Sequence, residues 1–146
     1  MVKKENTTKA IYIVDDDEDD LEVIQLAAKE ARLDIHLKCF RSGMELKEAI
    51  KDNNAEPPFL IICDMNLPGI NGLDIRRNLL EDPNTRYASI PFVYWTTGAP
   101  LIQVQKAYDL NIQGFFVKPS EYKEIKQMLI RLVNYWEYCI HPKNMP

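Results

Sequence analysis

Short apolar runs and amphipathic stretches alternate along the whole chain. Residues 10–14 (Ala-Ile-Tyr-Ile-Val) are apolar and β-rich, and they stop abruptly at six consecutive acids, Asp15 to Asp20. From Leu21 to about Arg32 the residues Leu21, Ile24, Ala27, Ala28 and Ala31 fall on one helical stripe. Residues 35–40 alternate as a strand does, with Ile35, Leu37 and Cys39 on one side. A helical period returns over 43–51 through Met44, Leu46, Ala49 and Ile50. After a polar loop come Phe59, Leu60, Ile61, Ile62 and Cys63, an unbroken apolar run between Pro57-Pro58 and Pro68-Gly69. Such a run reads as a short strand buried on both faces. A third helix is predicted over 72–81 and a fourth strand over 90–96, with Pro91 placed early, where a missing N–H does least harm. Leu101, Val104, Ala107 and Tyr108 then mark a fourth helix up to Asn111, and residues 114–117 a fifth strand. The last helix has the clearest period: Ile125, Met128, Leu129, Leu132, Val133 and Trp136.

Strand and helix thus alternate five times, which implies an α/β fold: a five-stranded parallel sheet with helices on both faces. No internal repeat stands out. The expected organisation is a disordered lead-in (1–9), one domain (10–140) and a tail (141–146), with no output domain. A chain of 146 residues can bury such a core without staples. Its net charge of -4, with no basic stripe, argues against direct nucleic-acid binding. No apolar run approaches the roughly 18 residues that span a membrane, and no signal peptide is evident, so a cytoplasmic location is expected. Cys39, Cys63 and Cys139 read as buried free thiols in a reducing compartment. With only His36 and His141 and no CxxC, a structural zinc site finds no support.

The candidate chemistry comes from polar residues that end buried strands, because ligands of open α/β sheets bind at the carboxyl ends of the strands. The first strand delivers Asp15 and Asp16, the third Asp64, the fourth Thr96 and Thr97, and the fifth Lys118. Glu18, Asp19 and Asp20 are read as solvated acids that favour the next helix through its dipole. A lysine before a proline is ordinarily a loop residue, and a strand-end threonine is ordinarily structural. Their joint appearance at the ends of these strands is something that folding does not require. Three carboxylates brought together repel, and one lysine cannot neutralise them. A hard divalent cation can, and Mg²⁺ is the usual choice where a few carboxylates share it with a phosphate. Such a site suits phosphoryl transfer, with Asp64 as the nucleophile that becomes an aspartyl phosphate.

Taken in order, Asp15-Asp16, Asp64 followed by Met65-Asn66-Leu67-Pro68-Gly69 and Gly72, Thr96, and Lys118-Pro119 form a specific set. On it the chain resembles, over roughly residues 9–138, the receiver domain of two-component response regulators. The resemblance implies a flavodoxin-like (βα)5 fold with strand order 2-1-3-4-5. It implies that Asp64 accepts phosphate from a histidine, that Asp16 binds Mg²⁺ directly, and that Asp15 helps through water or a hydrogen bond. The backbone carbonyl of Asn66 would complete the protein's metal ligands, and Lys118 would contact the phosphoryl group. Thr96 and Phe115 resemble a switch pair in which the ring follows the hydroxyl. The protein would then be no conventional enzyme, though it would catalyse its own phosphorylation and dephosphorylation. The implied partners are a sensor histidine kinase or histidine phosphotransfer protein, and a downstream protein target unless the phosphate is relayed. Phe115 stands where tyrosine is usual, and Thr97 where a small alanine is frequent. Thr96-Thr97 and the polar stretch 81–89 are similar to the single-domain subgroup of cyanobacterial phytochrome response regulators.

Trp136 is expected to pack on the sheet, whereas Tyr135 and Tyr138 fall off the stripe. They suggest a homodimer through the fourth helix, fifth strand and fifth helix. A haloacid-dehalogenase-type phosphatase would use Asp15 as nucleophile, but the hydroxyl or valine of its DxDx(T/V) pattern is missing. An EF-hand reading of Asp15, Asp17 and Asp19 fails at Asp20, where glycine is needed, and at Leu26, where glutamate is. A phosphorylation-independent adaptor of the same fold stands as the other alternative.

Overall fold

The computed structural model describes residues 9–83 and 87–142. Five strands and five helices alternate: β1 (Lys9–Val14), α1 (Glu18–Glu30), β2 (Ile35–Phe40), α2 (Gly43–Ile50), β3 (Leu60–Asp64), α3 (Gly72–Glu81), β4 (Phe92–Thr96), α4 (Leu101–Asp109), β5 (Gly114–Val117) and α5 (Tyr122–Tyr138). All strand pairings are parallel, in the order β2-β1-β3-β4-β5.

The unbroken apolar run of β3 is explained by its place at the centre of the sheet, where both faces are covered. Ile61 and Cys63 point into one core layer with Leu46 of α2, Leu73, Ile75 and Leu79 of α3, and Ala107 of α4. Leu60 and Ile62 point into the other, with Leu21 and Ile24 of α1 and Leu129 and Val133 of α5. The outer strand β2 is only half-buried, which suits its alternating pattern. Its Ile35, Leu37 and Cys39 share the layer under α1 and α5, and Trp136 packs there too.

Local signals set the helix starts. Asp17 caps α1 by accepting from the Asp19 and Asp20 N–H groups, Ser42 caps α2, and Asn71 caps α3. Gly72 opens α3 against the loop that follows β3: a Cβ there would lie 2.4 Å from the Met65 carbonyl oxygen. Further along α3, the buried Arg76 donates to the carbonyls of Leu110 and Asn111 at 3.0 Å each, tying α3 to the C-terminal end of α4.

Four expectations change. The fourth helix carries no buried stripe: only Ala107 is buried, while Leu101, Ile102 and Tyr108 are exposed, and no side chain caps its N-terminus. Helical spacing reports an amphipathic face without saying that another element covers it. Of the three free cysteines only Cys63 is buried, since Cys39 lies on the outer strand and Cys139 just beyond α5. Lys9 belongs to β1 rather than to the lead-in, whose other residues lie outside those described. In the tail, His141 is buried, with Nε2 2.6 Å from the Phe59 carbonyl and its ring stacked on that of Phe59; residues 143–146 lie outside those described.

Candidate functional site

The carboxyl ends of β1, β3, β4 and β5 bring five polar side chains to one edge of the sheet. Asp15 follows β1, held by its N–H to the Phe40 carbonyl at 2.9 Å. Parallel pairing sets Ile13 opposite Ile62 and Val14 opposite Cys63, so Asp15 and Asp64 follow side by side and both leave on the α1–α5 side. Both carboxylates are buried, and Asp16 beside them is exposed. One oxygen from each of Asp15, Asp16 and Asp64 lies within 4.8 Å of the others.

Lys118 enters from the end of β5, its N–H bonded to the Thr96 carbonyl at 2.7 Å. Its ammonium lies 3.0 Å from Asp64 Oδ2, 2.9 Å from Asp15 Oδ2 and 2.8 Å from Asp20 Oδ2. The Asp15 contact is an ion pair by distance rather than a well-directed hydrogen bond, so this fully buried oxygen keeps an unsatisfied lone pair. Burial lifts the Asp15 carboxyl to about 6, against the opposing pull of Lys118 and the Asp17 N–H. For Lys118 burial works against the charge, but Asp20, Asp15 and Asp64 outweigh it and hold the ammonium above its ordinary value.

Asp64 is engaged at both oxygens. Oδ1 accepts the Asn66 N–H at 3.0 Å, and Oδ2 accepts from Lys118. The Asn66 side chain reaches across to the next strand end, where Nδ2 donates to the buried Thr96 Oγ1 at 2.8 Å. Thr97 is exposed beside it. Phe115, half-buried in β5, packs on Tyr94 with ring centroids 5.7 Å apart. The Tyr94 hydroxyl in turn donates to the Gly72 carbonyl.

The strand-end residues expected to converge, Asp15, Asp16, Asp64, Thr96 and Lys118, do meet at this edge. Asp20 corrects the expectation of a solvated helix-start acid, because it makes the shortest contact to the lysine. Its place in the first turn of α1 faces it back over the strand ends, a signal available once Asp17 is recognised as the cap. Trp95, whose ring face lies 5.0 Å from the Lys118 ammonium, and the Asn66 side chain were likewise outside the expected set. The donor set suits a hard divalent cation: oxygen ligands only, excess negative charge, and a buried carboxylate oxygen with a free lone pair.

This fold and this arrangement of acids, hydroxyl and lysine define a receiver domain. Residues 11–130 match the model of the response regulator receiver domain family, and the chain belongs to that family. Its signalling is phosphorylation-based, and receiver domains act between kinases and downstream targets. The chain is 26% identical to response regulator Rcp1 of Synechocystis sp. over 140 residues, covering 93% of this chain and 94% of Rcp1. It is 24% identical to the DNA-binding transcriptional regulator NtrC of Escherichia coli, covering 92% of this chain but only 27% of NtrC. Among solved structures, the phosphorylated cyanobacterial phytochrome response regulator RcpA superposes with a TM-score of 0.82 at 25% identity, covering 93% of this chain and 99% of RcpA. The Mn²⁺-bound form of Rcp1 superposes with a TM-score of 0.79 at 25% identity, covering 92% of this chain and 99% of Rcp1. Among the described residues, no helix is long and apolar enough to cross a membrane.

Proposed function

We propose that Asp64 accepts a phosphoryl group from a phosphohistidine, on a histidine kinase or a histidine phosphotransfer protein. The observation that carries this reading is the buried Asp64 carboxylate, with Lys118 at 3.0 Å and two further carboxylates within 4.8 Å. An Asp64 oxygen attacks phosphorus as the P–N bond breaks. The electron pair of that bond stays on the imidazole nitrogen, which takes up a proton. Later attack by water on phosphorus releases inorganic phosphate and restores Asp64. Lys118 meets the negative charge that spreads over the phosphoryl oxygens, and the Asn66 N–H steadies Asp64 Oδ1.

Asp15, Asp16, Asp64 and the Asn66 backbone carbonyl would hold Mg²⁺. When bound, the ion supplies positive charge that offsets the clustered carboxylates and the incoming group. The output is a population shift. Thr96 leaves Asn66 to donate to a phosphoryl oxygen, and the Phe115 ring follows into the space vacated. That motion reshapes α4 and β5, where Leu101, Ile102, Tyr108 and Val117 are exposed; Tyr135 and Tyr138 of α5 are exposed too. This apolar surface suits a downstream protein or a second copy of the chain, and chain mass by light scattering with and without beryllofluoride separates the two. A cytoplasmic setting accords with the free thiols.

The test is intact mass after incubation with acetyl phosphate and Mg²⁺. Wild type should gain one phosphoryl group, while Asp64→Asn and chelator-treated protein should gain none. If wild type shows no adduct and does not bind beryllofluoride either, phosphoacceptance at Asp64 is wrong.

A further inference from the structure

Two neighbours of Lys118 take no part in the reaction just described. Asp20 reaches its ammonium from the first turn of α1 at 2.8 Å. Trp95 presents its ring face from β4, with Nζ 5.0 Å from the centroid. We propose that Asp20 and Trp95 form a clamp that positions the Lys118 ammonium for phosphoryl transfer at Asp64. This rests on the reading of Asp64 given above.

A lysine side chain is a flexible four-carbon stem ending in a point charge, so its direction must be imposed from outside. Here it is imposed from two fixed elements. Trp95 is the register partner of Asp64 on the neighbouring strand, which places the ring and the acceptor carboxylate side by side. Asp20 stands in the first turn of α1, where the capping Asp17 side chain accepts its N–H at 3.4 Å. The lysine between them is almost enclosed, its side chain 9% exposed.

Trp95 is a costly residue if filling space is its whole task. It is 1% exposed, and its Nε1 finds no hydrogen-bond partner among the described residues. An aliphatic side chain would fill the α1–α5 layer without stranding an N–H. What an aliphatic chain lacks is an electron-rich face, and that face lies against the Lys118 ammonium.

The clamp matters because the contact between Lys118 and Asp64 does not survive the reaction unchanged. Once an Asp64 oxygen is bonded to phosphorus, the negative charge sits on the phosphoryl oxygens instead, and the lysine must exchange its Asp64 contact for one to them. Asp20 and the Trp95 face keep their charge and quadrupole throughout. They therefore hold Nζ where the phosphoryl oxygens arrive, in place of a search by a freed side chain.

The experiment compares wild type, Trp95→Phe, Trp95→Leu and Asp20→Asn by two readouts. The first is the rate of phosphoryl incorporation from acetyl phosphate at saturating Mg²⁺, followed by intact mass. The second is the ¹⁵N resonance of the Lys118 ammonium without phosphodonor, assigned through Lys118→Met; a held ammonium exchanges its protons slowly. Trp95→Leu should slow incorporation about 3- to 30-fold and speed proton exchange, and Trp95→Phe should recover most of both. Asp20→Asn should slow incorporation about 3- to 10-fold with the same change in the ammonium signal.

Wild-type incorporation in both Trp95→Leu and Asp20→Asn overturns the clamp, whatever the ammonium signal does. So does equal slowing by Trp95→Phe and Trp95→Leu with the ammonium signal unmoved, because that pattern belongs to packing alone. Should Trp95→Leu not fold, Trp95→Phe and the partly exposed Asp20→Asn carry the decision. If wild type itself takes no phosphoryl group, the reading of Asp64 fails. The ammonium signal then still decides whether Asp20 and Trp95 hold the lysine.

Discussion

The Asn66 side-chain amide donates to the Thr96 hydroxyl at 2.8 Å, joining the loop that follows β3 to the end of β4. In the proposed switch this bond must break before Thr96 can turn to a phosphoryl oxygen. A net hydrogen bond is worth about 1 kcal/mol. Asn66→Ala should therefore favour the switched arrangement and tighten beryllofluoride binding by about 2- to 10-fold. A titration that finds weaker binding would assign the amide to holding the active arrangement instead.

Lys118 neutralises a buried carboxylate pair, so its loss should be felt in stability as well as chemistry. Lys118→Met should lower the unfolding free energy by about 3–5 kcal/mol in chelator. The deficit should shrink when Mg²⁺ is added, because the cation offsets the same charges. Urea titrations with and without the ion measure both numbers.

Asp15 gives the metal-free protein a particular pH dependence. Its folded pKa, about 6, lies above the ordinary 3.8 because burial disfavours the charge. The contribution of this group is therefore full below pH 3.8 and is lost as pH rises through 6. Above that, the charged form costs about 3 kcal/mol. In chelator at pH 7.5, Asp15→Asn should be more stable than wild type by about 1–3 kcal/mol, and the difference should vanish towards pH 4. Denaturant titrations across that range would show no such convergence if Asp15 stayed charged.

Gly72 has no room for a side chain, since a Cβ would meet backbone atoms of Met65 at 2.4–2.9 Å. Backbone cannot swing aside as a side-chain tip can. Gly72→Ala should cost about 2–3 kcal/mol. It should also slow phosphoryl incorporation, because the displaced loop carries Asn66. Normal incorporation in a folded Gly72→Ala protein would separate the loop's packing from its chemistry.

Arg76 joins α3 to the end of α4 through two carbonyls at 3.0 Å, with its guanidinium 5.4 Å from the Phe92 ring. Arg76→Lys should not substitute for it, because an ammonium lacks both the planar fork that reaches the two carbonyls and the flat face that stacks on the ring. A loss of about 2–3 kcal/mol is expected for Arg76→Lys, read by thermal or urea unfolding. The size of that loss measures how firmly α4 is anchored at its C-terminal end.

The strand-and-helix order and the group of strand-end residues were legible in the sequence by itself. Burial on both faces forces an unbroken apolar run such as that of β3, and a parallel sheet forces the ends of such runs onto one edge. Asp15, Asp16, Asp64, Thr96 and Lys118 could therefore be found by asking which polar residue ends each run. Only the tertiary structure decided what meets those residues sideways. Asp20 looked like one more helix-start acid, Trp95 like one more core residue, and Asn66 like a backbone ligand alone. Their contacts depend on the angle of α1 over the sheet and on the register of β3 with β4, which no local periodicity encodes. The same holds for α4, whose spacing announced a buried stripe of which only Ala107 is buried. Periodicity is a property of one segment, whereas burial belongs to the pair of surfaces that meet.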